Sequence, residues 1–136
     1  MTVTDYLIDT SALARVLLGR TTAEWDDTVA AGLVALCDVT ELEVLHSARP
    51  ADRERVKRTL NAHCTWCPMP DGIRRRARVV QELLTTKGGH RSAGPVDLLV
   101  AAAAEEAGLT LLRYDRDFET IARVTGQPVR MIALKD

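Results

Sequence analysis

Short apolar stretches alternate with longer segments of helical periodicity along this chain. Tyr6, Leu7 and Ile8 form a continuous apolar run, whereas Ile73, Val80 and Leu84 recur on one side of a helical segment. Predicted strands cover residues 6–8, 33–39, 64–67, 109–114 and 129–132. Predicted helices cover residues 11–18, 24–31, 40–48, 51–61, 73–86, 95–107 and 118–124. This alternation predicts an α/β fold of three layers, with a central parallel sheet of four to five strands flanked by helices.

Two of the predicted helices carry local signals at their first turn. Pro95 opens the segment 95–107, which is almost wholly apolar, so we expect this helix to be buried in the middle of the fold. Thr40 is followed three residues later by Glu43, a spacing typical of a capping box. That pair predicts a helix that begins at Thr40.

Composition and charge limit the class of protein. With 136 residues, 46% of them hydrophobic, the chain is expected to fold as a single domain over residues 1–136. The net charge of −1 means that any positive surface for nucleic acid must be local. We see no signal peptide, and the longest low-charge stretch, residues 98–104, is too short for a bilayer, so we expect a cytoplasmic protein away from membranes.

Acidic residues recur where predicted strands end and the following helices begin. Asp9 and Asp115 follow strands, Asp97 lies in the first turn of the buried helix, and Glu43 lies in the first turn of the helix after strand 33–39. In a parallel sheet these positions share one edge, which is where ligands bind in open α/β folds. We therefore expect four acids that are far apart in sequence to converge.

Converging carboxylates repel one another unless a cation neutralises them. Oxygen ligands are preferred by Mg²⁺ and Mn²⁺, and an acid-rich site with little His or Cys differs from a typical zinc site. Such a cation activates water and polarises a phosphodiester, so the predicted reaction is metal-assisted hydrolysis that needs no nucleophilic side chain.

Three segments carry a family resemblance. They are YLIDTSAL (6–13), CDVTELEVLHSAR (37–49) and PVDLLVAAAAEEAGLTLLRYDRDFETIA (95–122). In order, spacing and overall length they resemble the motifs of PIN-domain ribonucleases, in particular the VapC toxins of VapBC toxin–antitoxin pairs.

The resemblance implies a site and partners. Asp9, Glu43, Asp97 and Asp115 would be the catalytic acids, with Asp9, Asp97 and Asp115 binding Mg²⁺ or Mn²⁺. Asp117 and the Ser11 hydroxyl would assist in binding the cation. The family further implies an endoribonuclease that cuts transfer or ribosomal RNA and so inhibits translation and growth. It also implies a homodimer that a VapB-type antitoxin neutralises.

Two assignments stay open at this point. Glu41 competes with Glu43, which has the Thr-x-x-Glu spacing, and Asp117 competes with Asp115, which is nearer the strand end. A third hypothesis concerns the glycine-rich loop before the buried helix. Its basic residues would bind the RNA substrate, with an arginine forking onto phosphate; they are Lys87, His90 and Arg91.

Other functions remain to be weighed. His63, Cys64 and Cys67 have the spacing of half a zinc site, but no second pair follows, and apolar strand positions often hold cysteine. A signalling receiver domain needs a lysine at a late strand end, where this chain has Tyr114 and Asp115. A PIN fold that binds RNA without cutting it, or one that processes RNA outside a toxin–antitoxin pair, is the remaining alternative.

Overall fold

A parallel β-sheet lies at the centre of the computed structural model, which describes residues 4–89 and 91–136. The described residues form the strands β1 (Tyr6–Ile8), β2 (Val34–Leu36), β3 (Thr65–Trp66), β4 (Thr110–Arg113) and β5 (Val129–Met131). They form the helices α1 (Thr10–Leu17), α2 (Ala23–Ala30), α3 (Asp38–Ser47), α4 (Arg53–His63), α5 (Gly72–Thr86), α6 (Pro95–Ala107) and α7 (Asp117–Thr125). A short 3-10 helix, Pro50–Asp52, precedes α4.

The strands lie in the order β3-β2-β1-β4-β5, and every neighbouring pair is parallel. Leu7 of β1 is in register with Ala35 of β2 on one side and with Leu111 of β4 on the other. The chain builds outwards from β1 to β3 and then returns to add β4 on the other side of β1. The strand order therefore reverses between β1 and β4, the place where open parallel sheets bind ligands.

Helices cover both faces of the sheet. Leu7 and Leu111 pack in a core with residues of α5, α6 and α7. Ile8 and Leu112, the next residues along each strand, pack in a second core with residues of α1, α2 and α4. Because both faces are buried, the central strands are apolar at successive positions. The predicted three-layer α/β architecture is confirmed.

Helix α6 is buried against the sheet, as its apolar sequence predicts. Ala103 and Ala104 have no exposed surface, and the helix ends at Gly108 in the left-handed conformation, with φ of 69°. The alanines let the helix pack closely on its neighbours, and the Cys67 sulfur lies 3.9 Å from the Ala103 carbonyl oxygen. Leu98, near the start of the helix, is also buried, so the core holds α6 at both ends.

The start of α3 differs from the prediction. The strand expected over residues 33–39 ends at Leu36, Cys37 caps the helix, and α3 begins at Asp38. The predicted capping box is therefore wrong: Thr40 is buried inside the first turn, with its hydroxyl 3.5 Å from the Cys37 sulfur. Glu43 consequently lies beyond the first turn, and its carboxylate is not used in capping.

Within residues 4–89 and 91–136, no helix is long and apolar enough to cross a membrane.

Enlarging a buried alanine of α6 tests this packing. We expect Ala103→Leu to lower the free energy of unfolding by about 1–3 kcal/mol, because the added atoms overpack a filled core. Ala107→Leu, at the exposed end of the same helix, is the matched control and should change it by less than about 0.5 kcal/mol. Urea unfolding measures both, and equal effects of the two substitutions would show that α6 is not tightly packed.

Candidate active site

Five acidic residues line one open cavity at the carboxyl edge of the sheet. The cavity has a volume of about 330 Å³, and its acidic residues are Asp9, Glu43, Asp97, Asp115 and Asp117. They come from different parts of the fold: the β1–α1 junction, α3, α6, the end of β4 and the start of α7. Parallel pairing of β1 with β4 accounts for part of this convergence, since the Asp9 N–H donates to the Leu112 carbonyl at 3.0 Å.

Asp9 is held rigidly at the start of α1. It caps the helix, with its Oδ1 accepting the Ala12 N–H at 2.9 Å, and the residue is only 5% exposed. The Ser11 hydroxyl donates to Asp9 Oδ2 at 2.7 Å. Two backbone N–H groups, those of Tyr114 and Asp115, donate to the same hydroxyl, each at 3.0 Å. Ser11 thus ties the chain after β4 to α1.

The hydrogen bonds of Ser11 define what it can do. A hydroxyl has one donor and two acceptor lone pairs, and all three are engaged here. Ser11 therefore orients the Asp9 carboxylate and the backbone of Asp115.

The structure favours Glu43 over Glu41 at this site. Glu43 lines the cavity and Glu41 does not. Thr10, the first residue of α1, donates its hydroxyl to Glu43 Oε1 at 2.5 Å, so the second acid is held against the helix that Asp9 caps. Asp115 and Asp117 both line the cavity and are both exposed, so the geometry does not separate them.

Burial makes the negative charge of the two inner acids costly. Burial raises the pKa of Asp9 to about 6, although the Ala12 N–H and the Ser11 hydroxyl oppose the shift. Burial likewise raises the pKa of Asp97; the charges of Asp117, Glu43 and Asp115 add to the shift, and the Gly94 N–H, 3.3 Å from Oδ2, opposes it.

The donor set fits a hard divalent cation. All five acids offer carboxylate oxygens, the ligands that Mg²⁺ and Mn²⁺ prefer. Among the described residues, Asp97 Oδ1 and Glu43 Oε2 accept no hydrogen bond. No group of three potential ligands within residues 4–89 and 91–136 is already drawn together as a metal cage. Repulsion among the carboxylates is a sufficient physical reason for such spacing.

Comparison with known proteins identifies the family. The family model described as PIN domain matches residues 6–124. This chain belongs to the PIN-domain family. Ribonuclease VapC21 of Mycobacterium tuberculosis is 39% identical over 130 residues, with 95% of this chain and 94% of the relative covered. Ribonuclease VapC2 of the same organism is 42% identical over 130 residues, with 93% and 92% covered.

Solved structures agree with the fold of this PIN domain. VapBC-5 from Mycobacterium tuberculosis matches with a TM-score of 0.61 and 26% identity, covering 96% of this chain and 98% of the matched chain. DNA-bound VapBC from Salmonella typhimurium matches with a TM-score of 0.74, 14% identity and coverage of 95% and 98%. The predicted fold and family are confirmed.

Two arginines near the site of the PIN domain were not singled out from the sequence. Arg113, buried at the end of β4, donates to the Tyr114 carbonyl at 3.1 Å and pairs with Glu119 of α7, which holds the segment carrying Asp115. Arg15 of α1 lines the acidic cavity itself. In the sequence, the feature that could have pointed to Arg15 is its position four residues, about one helical turn, after Ser11.

The predicted substrate-binding residues belong to the loop that precedes α6. Lys87 and Arg91 are exposed, and neither lines the cavity, whereas His90 lies outside the described residues. A role for this loop in RNA binding stays a prediction.

The cysteines near β3 lie in apolar surroundings. Burial raises the pKa of the Cys64 thiol to about 11, and burial together with nearby Cys37 raises that of Cys67 to about 11. A zinc ion binds the thiolate form, which this environment disfavours.

The buried charge of Asp9 makes stability depend on pH. In metal-free protein, the folded state keeps the Asp9 proton between its ordinary pKa of 3.8 and about 6, while the unfolded chain has lost it. The contribution of Asp9 to stability therefore falls as pH rises through this interval and levels off above it. The loss attributable to Asp9 is at most about 3 kcal/mol.

Asp9→Asn removes this penalty and keeps a good helix cap. Relative to wild type, the variant should gain stability as pH rises from 4 to 7, measured by urea unfolding in EDTA. Asp27→Asn, which replaces an exposed aspartate of α2, is the matched control. A difference between wild type and Asp9→Asn that is constant over this range would contradict the assignment of Asp9 as a buried charge.

Proposed function

We propose that this PIN domain is a VapC-type endoribonuclease that hydrolyses RNA phosphodiester bonds with the help of Mg²⁺ or Mn²⁺. One observation carries the proposal: five carboxylates from distant parts of the chain line a single cavity. The relatives named ribonuclease VapC21 and VapC2 support it, because they match nearly the whole chain at 39% and 42% identity.

The acids fall into two groups that differ in the proposed role. Asp9 and Asp97 would hold the cation together with Asp115, since the first two carry a charge that burial opposes and a cation relieves. Glu43 and Asp117 would orient water or hold a second cation. When bound, the cation supplies Lewis-acid activation of water and stabilisation of charge on the phosphodiester. Ser11 keeps Asp9 in place throughout, and no side chain is required as a nucleophile.

We further propose that the protein is the toxin of a toxin–antitoxin pair. The structures it resembles include VapBC assemblies, so a VapB-type antitoxin is the proposed partner. Transfer or ribosomal RNA is the proposed substrate, whose cleavage in the cytoplasm would inhibit translation and growth.

A homodimer is proposed as the working form. The surface that supports it lies on α3 beside the site, where Leu42 is 63% exposed. Val39 and Val96 line the same shallow depression as Leu42 and Glu43. Burying this apolar surface against a second copy would remove it from water next to the acids.

Loss of one inner acid tests the nuclease directly. Purified protein should cut transfer or ribosomal RNA with Mg²⁺ or Mn²⁺ and should not cut in EDTA. Asp97→Asn should lower the rate more than about 100-fold, because even groups that only support metal ligands contribute 10- to 100-fold. Asp27→Asn is the matched control and should cut at the wild-type rate.

Two results would contradict the nuclease. One is full activity of folded Asp97→Asn, which would exclude the acidic cavity as the site of cleavage. The other is RNA binding without cleavage in any metal, which would favour a PIN fold that binds RNA without cutting it.

Disrupting the surface around Leu42 tests the dimer. Leu42→Glu should convert a dimer to a monomer in light scattering, because it places a charge in the buried interface. Leu18→Glu changes another leucine, 69% exposed, and should leave the mass unchanged. A wild-type monomer at micromolar concentration would refute the dimer, and a dimer that survives Leu42→Glu would refute this surface.

A further inference from the structure

Arg15 is a cationic side chain in the wall of a cavity lined by carboxylates. It lies in the last turn of α1, the helix that Asp9 caps. Such a residue would ordinarily pair with the nearest acids. Its surroundings show that it does not.

Two contacts other than ion pairs hold the Arg15 guanidinium. Its Nη1 donates to the Ser11 carbonyl at 3.1 Å, and its central carbon lies 4.1 Å from the centroid of the Tyr114 ring. Among the described residues, Arg15 forms no ion pair with a carboxylate. The acids that share the cavity therefore make no direct contact with its charge.

The arrangement leaves donors for a ligand. A guanidinium has five N–H donors along its planar edge; one is directed at the Ser11 carbonyl, and the others have no hydrogen-bond partner among the described residues. That planar edge matches two oxygens of a phosphate. Because the carbonyl and the ring already restrict the side chain, less conformational freedom is lost on binding.

A phosphate ligand also resolves an electrostatic difficulty. An RNA backbone that approaches several carboxylates is repelled, and a fixed positive group at the wall offsets that repulsion where the chain enters. In RNA the phosphates are linked, so one phosphate can lie near Arg15 while another lies near the acids. A free anion such as sulfate, or a carboxylate side chain, has no such series of linked phosphates.

We propose that Arg15, held on the face of the Tyr114 ring, binds a phosphate of the RNA backbone at the wall of the acidic cavity. The inference rests on the proposed action on RNA, but it concerns binding and is measurable without cleavage.

The test compares binding of a short labelled single-stranded RNA of mixed sequence at several salt concentrations. Four proteins are compared in Mg²⁺: Asp97→Asn, and the same variant with Arg15→Met, Arg15→Lys or Arg20→Met added. Arg15→Met keeps a long side chain without charge. Arg20→Met removes an exposed arginine just beyond the same helix and outside the cavity lining, and is the matched control.

We expect Arg15→Met to weaken binding about 10- to 100-fold, because a hydrogen bond to a charged group is lost. The slope of log affinity against log salt should become shallower by about 0.7, the value of one phosphate contact on a single strand. Arg15→Lys should keep the slope but recover only part of the affinity, since it has charge without the planar fork. Arg20→Met should change neither quantity.

Unchanged affinity and slope in Arg15→Met would overturn the proposal. The proposal would also be overturned if Arg15→Met lost RNA affinity only below saturating Mn²⁺ and also bound Mn²⁺ more weakly in calorimetry. Arg15 would then act on the acids and not on the RNA. If Arg15→Met fails to fold, Arg15→Lys decides: affinity equal to the parent protein would exclude the guanidinium fork.

Cleavage by the otherwise wild-type protein separates this inference from the proposed nuclease. Arg15-dependent binding without any cleavage would support the phosphate contact and refute the nuclease. Normal cleavage by Arg15→Met, with unchanged binding, would support the nuclease and refute the phosphate contact.

Discussion

The Asp9 carboxylate is buried at the junction of the central strand and its following helix, and the rest of the site depends on that placement. The charge of a buried carboxylate needs hydrogen bonds or a cation, and the fold supplies only part of this through Ala12 and Ser11. The same Ser11 hydroxyl anchors the backbone after β4. The hydrogen bonds that hold the buried Asp9 carboxylate thus also connect β1 and β4, the two strands between which the strand order reverses.

The other acids lie on elements that are held in place by different contacts. Helix α6 is held by its buried alanines, which fix Asp97 beside Asp9 at the carboxyl edge of the sheet. Helix α3 is held through the contact between Thr10 and Glu43. Asp115 and Asp117 lie on the exposed segment that Arg113 and Glu119 fasten. The result is an inner pair of acids, Asp9 and Asp97, and a more exposed outer group, an arrangement that suits a hard cation reached by a large substrate.

The sheet can be predicted well from the sequence because each strand is marked by residues that are adjacent along the chain. Apolar runs buried on both faces distinguish the central strands, and parallel pairing then brings Asp9, Asp97 and Asp115 to one edge without any knowledge of contacts. Two features could not be predicted in this way. The Thr40–Glu43 spacing indicated a cap, but the helix begins at Asp38, and Glu43 instead accepts a hydrogen bond from Thr10.

Arg15 illustrates the second limit. Its importance comes from the Tyr114 ring and from the lack of an ion pair with a described carboxylate, and both are tertiary features between segments far apart along the chain. Lys87 and Arg91, in the charged loop before α6, are more conspicuous in the sequence, yet neither residue lines the cavity. Local charge density is therefore a weaker guide to the site than the ends of the parallel strands.

Whether these carboxylates form a divalent-cation site is tested most directly by anomalous diffraction from crystals of the protein soaked in Mn²⁺. We expect an anomalous peak in the cavity between Asp9 and Asp97, and we expect crystals of Asp9→Asn to lack it. A peak located elsewhere on the chain, or no peak at a Mn²⁺ concentration that supports RNA cleavage, would contradict such a site.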